Sequence, residues 1–235
     1  MTGAAQLPLP EIGGDSINRS GTPAARRRQA VESFGRCAEC LGSVGAGSSI
    51  FAVTRGQWSM IDAIVHVMSC CAEPVEVSLW TWTVAEYEVE CLGKLREDRR
   101  ILSGRLIIDA GARTKSGIVE QTKMEGVLRD WRRRFGPESI RYVFNHAKLA
   151  RVSVPGGLRF LLRGSMNLNF NPRFEQFDLT EGGPEFDLVA RIESELPILP
   201  DTCGKAEARA ASRLGDAFTA EQLGRFFGGL KVWAK

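Results

Sequence analysis

The sequence predicts an α/β protein: a mixed, largely parallel sheet flanked by helices, with a flexible N-terminal arm and a short C-terminal helical tail. Three observations lead there. Short apolar runs of strand length alternate with longer segments whose apolar residues recur at helical spacing. The intervening helices are long enough to serve as the crossover connections that parallel strands require. In the second half, Pro155-Gly156-Gly157 stands between two apolar runs and signals one antiparallel hairpin. A chain of 235 residues suits one domain of ordinary size with tails.

Residues 1–30 are rich in Gly, Pro, Ser and Ala and end in Arg26, Arg27 and Arg28. They lack the apolar surface that would offset the entropy of ordering, and so read as a flexible basic arm. The domain proper is expected over 31–195. It opens with the apolar strand "SSIFAVT" (48–54). A helix follows in which Trp58, Ile61, Ile64, Val65 and Met68 share one face. "VEVSLWTW" (75–82) alternates like a strand, with Trp80 and Trp82 expected in the core, and "VAEYEVECLGKLREDRR" reads as a surface helix. "GRLIIDA" (104–110) is the next strand, and "QTKMEGVLRDWRRRFG" the next helix, ended by Gly136. Arg99, Arg100 and Arg132 to Arg134 fall at helix ends, where cations complement the dipole. "SIRYVFNHAKLARVSV" reads as one extended run leading into the hairpin, and "GGPEFDLVARIESEL" as a further helix. Residues 196–235 form a proline-bearing linker and an amphipathic tail helix, for which Thr219 and Gln222 offer a capping box. No internal repeat is present.

Composition narrows the class of function. A formal charge of +3 is too weak to demand a nucleic-acid partner, although it permits one where the basic residues cluster. No stretch reaches the roughly 18 apolar residues of a membrane span, and the N-terminus does not read as a secretory signal. The expectation is a cytoplasmic protein with no membrane partner. Cys37, Cys40, Cys70, Cys71, Cys91 and Cys203 are scattered in a chain large enough to fold without staples, which suits reduced thiols. Cys37-x-x-Cys40 lacks a second pair at ligand spacing, so neither a metal nor a cofactor is expected.

The chain contains two histidines, and one lies in "NHAKLARVSVPGGLRFLLRGSMNLNFNPRFEQ" (145–176). His146 and Lys148 are two apart on an extended segment and so leave the same face. If Val154 pairs with Leu158 across the turn, Lys148 falls opposite Gly164 and His146 opposite Met166. Ser165 and Asn167, again two apart, then approach the imidazole. A histidine, a cation and two neutral hydrogen-bonding groups would converge at the end of a sheet, where open α/β sheets bind ligands. The set suits phosphodiester chemistry. An imidazole can attack phosphorus and leave again, while Lys148 and the Asn167 amide stabilise the oxygens on which charge grows. In "GARTKSG", Arg113 and Lys115 lie just past a strand end, where substrate phosphates would pass. Arg163, beside the Gly-Ser-x-Asn cluster, is a third candidate for substrate contact.

His146-x-Lys148 followed by Gly164-Ser165-x-Asn167 resembles the HKD motif of the phospholipase D superfamily, and Glu175 falls where such proteins often carry an acidic residue. "VEVSLWTWTVAE" and "RLIIDAGARTKSG" resemble the strand–helix units that precede the motif in the small single-motif nucleases of that superfamily. The likeness runs over about 48–195. It implies a phospholipase D-like fold and a metal-independent two-step reaction. His146 would form a phosphohistidine, Lys148 and Asn167 would hold the phosphate, and Ser165 would orient the site. The second histidine that protonates the leaving group would have to come from another subunit, since His66 sits in an apolar helix with no matching lysine. A homodimer with a shared site is therefore implied, most simply a nuclease acting on DNA. One departure stands out: Ser153 occupies the position of the motif aspartate. A nucleic-acid-binding or assembly protein on the same fold, with catalysis weakened, is the rival reading. Lipid cleavage is disfavoured, because the tail is a poor membrane-binding helix.

Overall fold

The computed structural model describes residues 28–33, 36–110, 118–168, 173–200 and 208. In chain order the elements are β1 (Arg28–Ser33), α1 (Cys37–Leu41), β2 (Ser49–Thr54), α2 (Met60–Cys70), β3 (Val75–Thr81), α3 (Glu86–Glu97) and β4 (Ile101–Asp109). They continue with α4 (Ile118–Phe135), a 3₁₀ turn (Pro137–Ser139), β5 (Ile140–Val143), β6 (Leu149–Ser153), β7 (Arg159–Gly164), β8 (Glu175–Glu181) and α5 (Pro184–Glu195). The strands form one sheet in the order β1-β2-β8-β7-β6-β3-β4-β5.

The mixed α/β class is as expected, but parallel pairing is confined to β1–β2, β3–β4 and β4–β5. The four pairings in the middle of the sheet are antiparallel. The reason is the hairpin: β6 and β7 enter the centre of the sheet and reverse the strand direction on both sides. Three further expectations change. The arm boundary at residue 30 falls inside β1, an edge strand held by main-chain pairing to β2, which composition does not reveal. The extended run 139–154 is two strands, β5 and β6, separated by a loop at 144–148. β8, not foreseen from sequence, pairs on both edges, and its central residues are buried on both faces. The tail helix expected at 219–235 lies outside the described residues.

The registers explain why the sheet is stable. Ile50, Leu179, Leu162, Ala150, Leu79, Leu106 and Ile140 are mutual partners in one row across seven strands. All are almost completely buried. α2, α3 and α4 cover this face, contributing Ile61, Ile64 and Val67, then Val89 and Leu92, then Leu128 and Trp131. Residues at i, i+3 and i+4 place such side chains on one helical stripe. Helix ends are secured locally. The Ser59 and Ala85 amides donate to the Asp62 and Glu88 carboxylates at 2.7 and 2.9 Å, opening α2 and α3. Arg100 donates to the Met68 and Cys71 carbonyls at 2.8 and 2.9 Å, closing α2. Arg134 bridges Asp130 and Glu97, and so ties α4 to α3. The opposite face is more polar and is partly covered by α5. Among the described residues no helix is long and apolar enough to cross a membrane.

Gly164 ends β7 where the chain passes closest to β8. A β-carbon there would meet the Gln176 carbonyl oxygen at 2.3 Å, a backbone atom that cannot swing aside. Gly164→Ala is expected to destabilise the protein by about 1–3 kcal/mol, as overpacking does. Urea unfolding should show a lower midpoint at unchanged slope.

Candidate active site

The loop between β5 and β6 emerges at the C-terminal ends of β3, β4 and β5, and its shape is set by one buried side chain. Asn145 is 7% exposed. Its backbone N–H donates to the Asp109 carboxylate at 2.8 Å, and its amide nitrogen donates to the Thr81 carbonyl at 3.3 Å. Its side-chain oxygen accepts the Ala147 N–H at 2.7 Å, an Asx turn that bends the chain around the next residue. Asp109 is the last residue of β4 and Thr81 the last of β3. Two strand ends thus grip the residue before His146, whose ring stands exposed above them.

Lys148 lies across that ring. Its Nζ donates to the His146 carbonyl at 2.8 Å and sits 3.2 Å from both Nδ1 and Nε2. Equal distances place the ammonium over the imidazole and not on one lone pair, so neither nitrogen is committed to it. The Trp82 indole also stands beside the ring, its centroid 6.3 Å from that of His146 at an interplanar angle of 52°. Trp82 is therefore part of the site surroundings and not of the core expected for it. Trp80 is half-buried and donates to Glu193 at 2.7 Å on the polar face.

The hairpin register is the expected one from Val154 and Leu158 to Lys148 and Gly164, but the strands stop there, so the expected pairing of His146 with Met166 does not form. The Val154 N–H donates to the Leu158 carbonyl at 2.8 Å, and the Gly164 N–H to the Lys148 carbonyl at 3.2 Å. Beyond Gly164 the chain leaves β7, and Ser165 is pinned to β8. Its N–H donates to the Gln176 carbonyl at 3.0 Å, and its hydroxyl accepts the Gln176 N–H at 2.9 Å. The same hydroxyl donates to the Glu175 carboxylate. Burial pushes the Lys148 ammonium below its ordinary value, and the Glu175 charge opposes that shift. Glu175 thereby links the two short motifs, through a hydrogen bond to Ser165 and through its field at Lys148. Asn167 is half-buried, and its side-chain oxygen is buried with no hydrogen-bond partner among the described residues.

Arg163 is engaged elsewhere: its Nε and Nη2 donate to Asp178 at 3.0 and 2.6 Å. Arg113 and Lys115 lie outside the described residues. Arg55, which follows β2, packs 5.2 Å over the Phe174 ring next to Glu175 and brings another cation to this end of the sheet. Sequence reasoning missed Asn145, Asp109 and Arg55. The available signals were a polar residue closing an apolar strand and an Asn one position before the histidine. Ser153, at the motif-aspartate position, lies at the far end of β6, opposite Glu76 and Arg159. Five residues of strand separate it from Lys148 by roughly 16 Å. Its side chain is therefore remote from the imidazole.

His66 is occupied structurally, its Nε2 paired with the Gly42 carbonyl at 2.6 Å, which fastens the end of α1 to α2. Cys37 and Cys40 lie on α1, and burial raises the Cys37 thiol far above its ordinary value. Cys203 falls outside the described residues. Among the described residues no group of three or more metal-ligating side chains converges.

No protein-family model matches the chain, and no curated protein matches it. Among solved structures it is similar to a polyphosphate kinase from Porphyromonas gingivalis, at 14% identity and a TM-score of 0.44. The match covers 62% of this chain and 25% of that one, so this chain spans about a quarter of its length.

Asn145→Ala removes the Asx turn and leaves the Thr81 carbonyl without its donor. The expected loss of stability is about 1–3 kcal/mol. In a histidine-selective NMR spectrum the His146 ring signals should shift and broaden while those of His66 stay in place.

Proposed function

We infer that the chain is a metal-independent phosphodiesterase acting on DNA through a phosphohistidine, at a site shared by two subunits. One observation supports this most: His146 and Lys148 stand at a sheet end where Glu175, bonded to Ser165, is close enough to act on the lysine. A ring nitrogen of His146 attacks phosphorus as the P–O bond to the leaving group breaks. The departing oxygen takes a proton from a second imidazole. Water then attacks the phosphohistidine, giving its proton to that second imidazole, and the N–P bond breaks to release a phosphomonoester. Lys148 stabilises the charge growing on the phosphoryl oxygens, and Asn167 supplies its amide to the same group.

The second imidazole is assigned to another copy of the chain. His66 is bonded to Gly42, so an isologous dimer that brings two copies of His146 to its axis is the economical solution. Phe144 and Phe174, 51% and 70% exposed, flank His146 and Glu175 and offer apolar area for such an interface to cover. Ser153 does not weigh against catalysis in this reading, because it lies at the other end of β6.

The protein should cleave DNA in excess EDTA, and His146→Ala should abolish turnover at unchanged melting temperature. Mixing His146→Ala with wild type should lower activity by more than dilution. Loss of activity in EDTA with recovery in magnesium would overturn the phosphohistidine, and binding without cleavage would favour the assembly reading. A purely proportional loss in the mixtures would overturn the shared site.

The pH profile supplies a separate expectation. Lys148 must be protonated to stabilise the phosphoryl oxygens, and burial lowers its pKa. Activity should therefore fall on the alkaline side at a lower pH than an ordinary lysine titrates. Glu175→Gln removes the charge that opposes the shift, so the alkaline limb should move to still lower pH.

A further inference from the structure

The polar face of the sheet holds a cavity of about 560 Å³ at the N-terminal halves of β3 and β4, away from the loop that carries His146. Thr180, Leu161, Arg151, Ser78 and Arg105 are strand partners in one row on this face. The cavity thus has Ser78 in its floor with an arginine on either side. Arg141 on β5 completes the basic lining.

Three arginines and three glutamates line the cavity, but only one of the glutamates, Glu193, is buried, and the Arg105 side chain is 40% exposed. Glu193 of α5 is 1% exposed, and its carboxylate accepts from Trp80 and Arg151 while lying 3.8 Å from Arg105. One buried carboxylate therefore serves two arginines. Arg141 is 9% exposed, and its Nη1 donates only to the backbone carbonyls of Glu138 and Ile140. Its Nε, the Arg151 Nε and the Ser78 hydroxyl are buried without hydrogen-bond partners. Ser78 itself is 7% exposed. Glu76 and Glu138 also line the cavity but are exposed, so water screens their charge. Burial and the nearby Arg105 charge lower the Arg141 pKa, and the Glu138 carboxylate only partly opposes them. Two guanidinium Nε groups and a hydroxyl buried without partners around one space, with the half-exposed Arg105 beside them, are complementary to a tetrahedral oxyanion.

We propose that this cavity binds a small-molecule phosphate ester, its phosphate held by Arg105, Arg141 and the Ser78 hydroxyl and its organic part against Phe135 and Pro137. Phosphate alone would fill little of the space, whose volume is that of a small-molecule site, about 300–1,000 Å³. The site is separate from the one at His146, and the proposal does not rest on the phosphodiesterase reading.

Isothermal titration of the full chain with ribose 5-phosphate, inorganic phosphate and succinate tests it. Ribose 5-phosphate should bind more tightly than inorganic phosphate, and succinate should bind least. Arg105→Gln and Ser78→Ala, both mild changes to the fold, should each weaken ribose 5-phosphate by on the order of tenfold, the loss expected for a hydrogen bond to a charged group. Lys148→Ala should bind it as wild type does. Absence of binding to wild type would overturn the proposal, as would equal binding by the Arg105 and Ser78 variants. Weakening by Lys148→Ala alone would place the phosphate at the other site, and succinate binding as tightly as the ester would overturn the phosphate class.

Discussion

The β6–β7 hairpin is the constraint on which the rest of the sheet depends. β6 pairs with β3 and β7 pairs with β8, so the hairpin joins the parallel set β3–β4–β5 to the set β1–β2–β8. Its register also decides which side chains meet. A slip of one residue would turn Ala150, Val152, Phe160 and Leu162 out of the core row and send Arg151, Arg159 and Arg163 into it. The cost of burying three arginines in place of four apolar side chains makes that alternative untenable. The tight turn at Pro155-Gly156-Gly157 and the apolar alternation therefore enforce the same pairing. That pairing carries Lys148 to Gly164, the residue before Ser165.

Placement of the imidazole depends on polar groups that the core cannot provide. Once β5 ends at Val143 the chain has no strand partner to follow, and the buried Asn145 amide substitutes side-chain hydrogen bonds for ladder bonds. The bonds to Asp109 and Thr81 are buried, and each leaves a costly vacancy if removed, which makes the loop specific in shape. His146, by contrast, remains exposed. A rigid base under an accessible ring is the arrangement that the proposed attack on phosphorus would need, since the nitrogen would have to reach its target without reorganising the backbone. Lys148 provides positive charge at the same place, and partial burial strengthens its field while lowering its pKa.

The two faces of the sheet divide the work. One is a continuous apolar row under three helices and accounts for most of the stabilisation by burial. The other carries arginines, serines and a buried glutamate beneath a single helix, α5. Phe186 in that helix lies under the Arg151 and Arg159 guanidinium groups, at 4.5 and 5.1 Å, so the helix is held by cation–π and ionic contacts more than by a hydrophobic stripe. A sheet needs one well-covered face to fold. The second is then free to hold polar groups in fixed relation.

The α/β class, α2 to α5 in outline, the hairpin register and the meeting of Lys148 with Gly164 were all legible in the sequence. Each depends on local rules: helical spacing of apolar residues, alternation in strands, and a turn tripeptide that sets a register by counting. β1 and β8 were not legible, because edge pairing and a strand buried on both faces leave little alternating signal in six or seven residues. Asn145, Asp109 and Thr81 escaped for a different reason. They are far apart in the chain and become one network only when three strand ends align. The same holds for Arg105, Arg141, Arg151 and Glu193. Sequence alone determined which residues could do chemistry and which hairpin would bring the motif together, since both follow from near neighbours along the chain. Tertiary structure alone decided which polar groups are buried, paired or left without a partner, since desolvation and charge balance are set by contacts between distant segments.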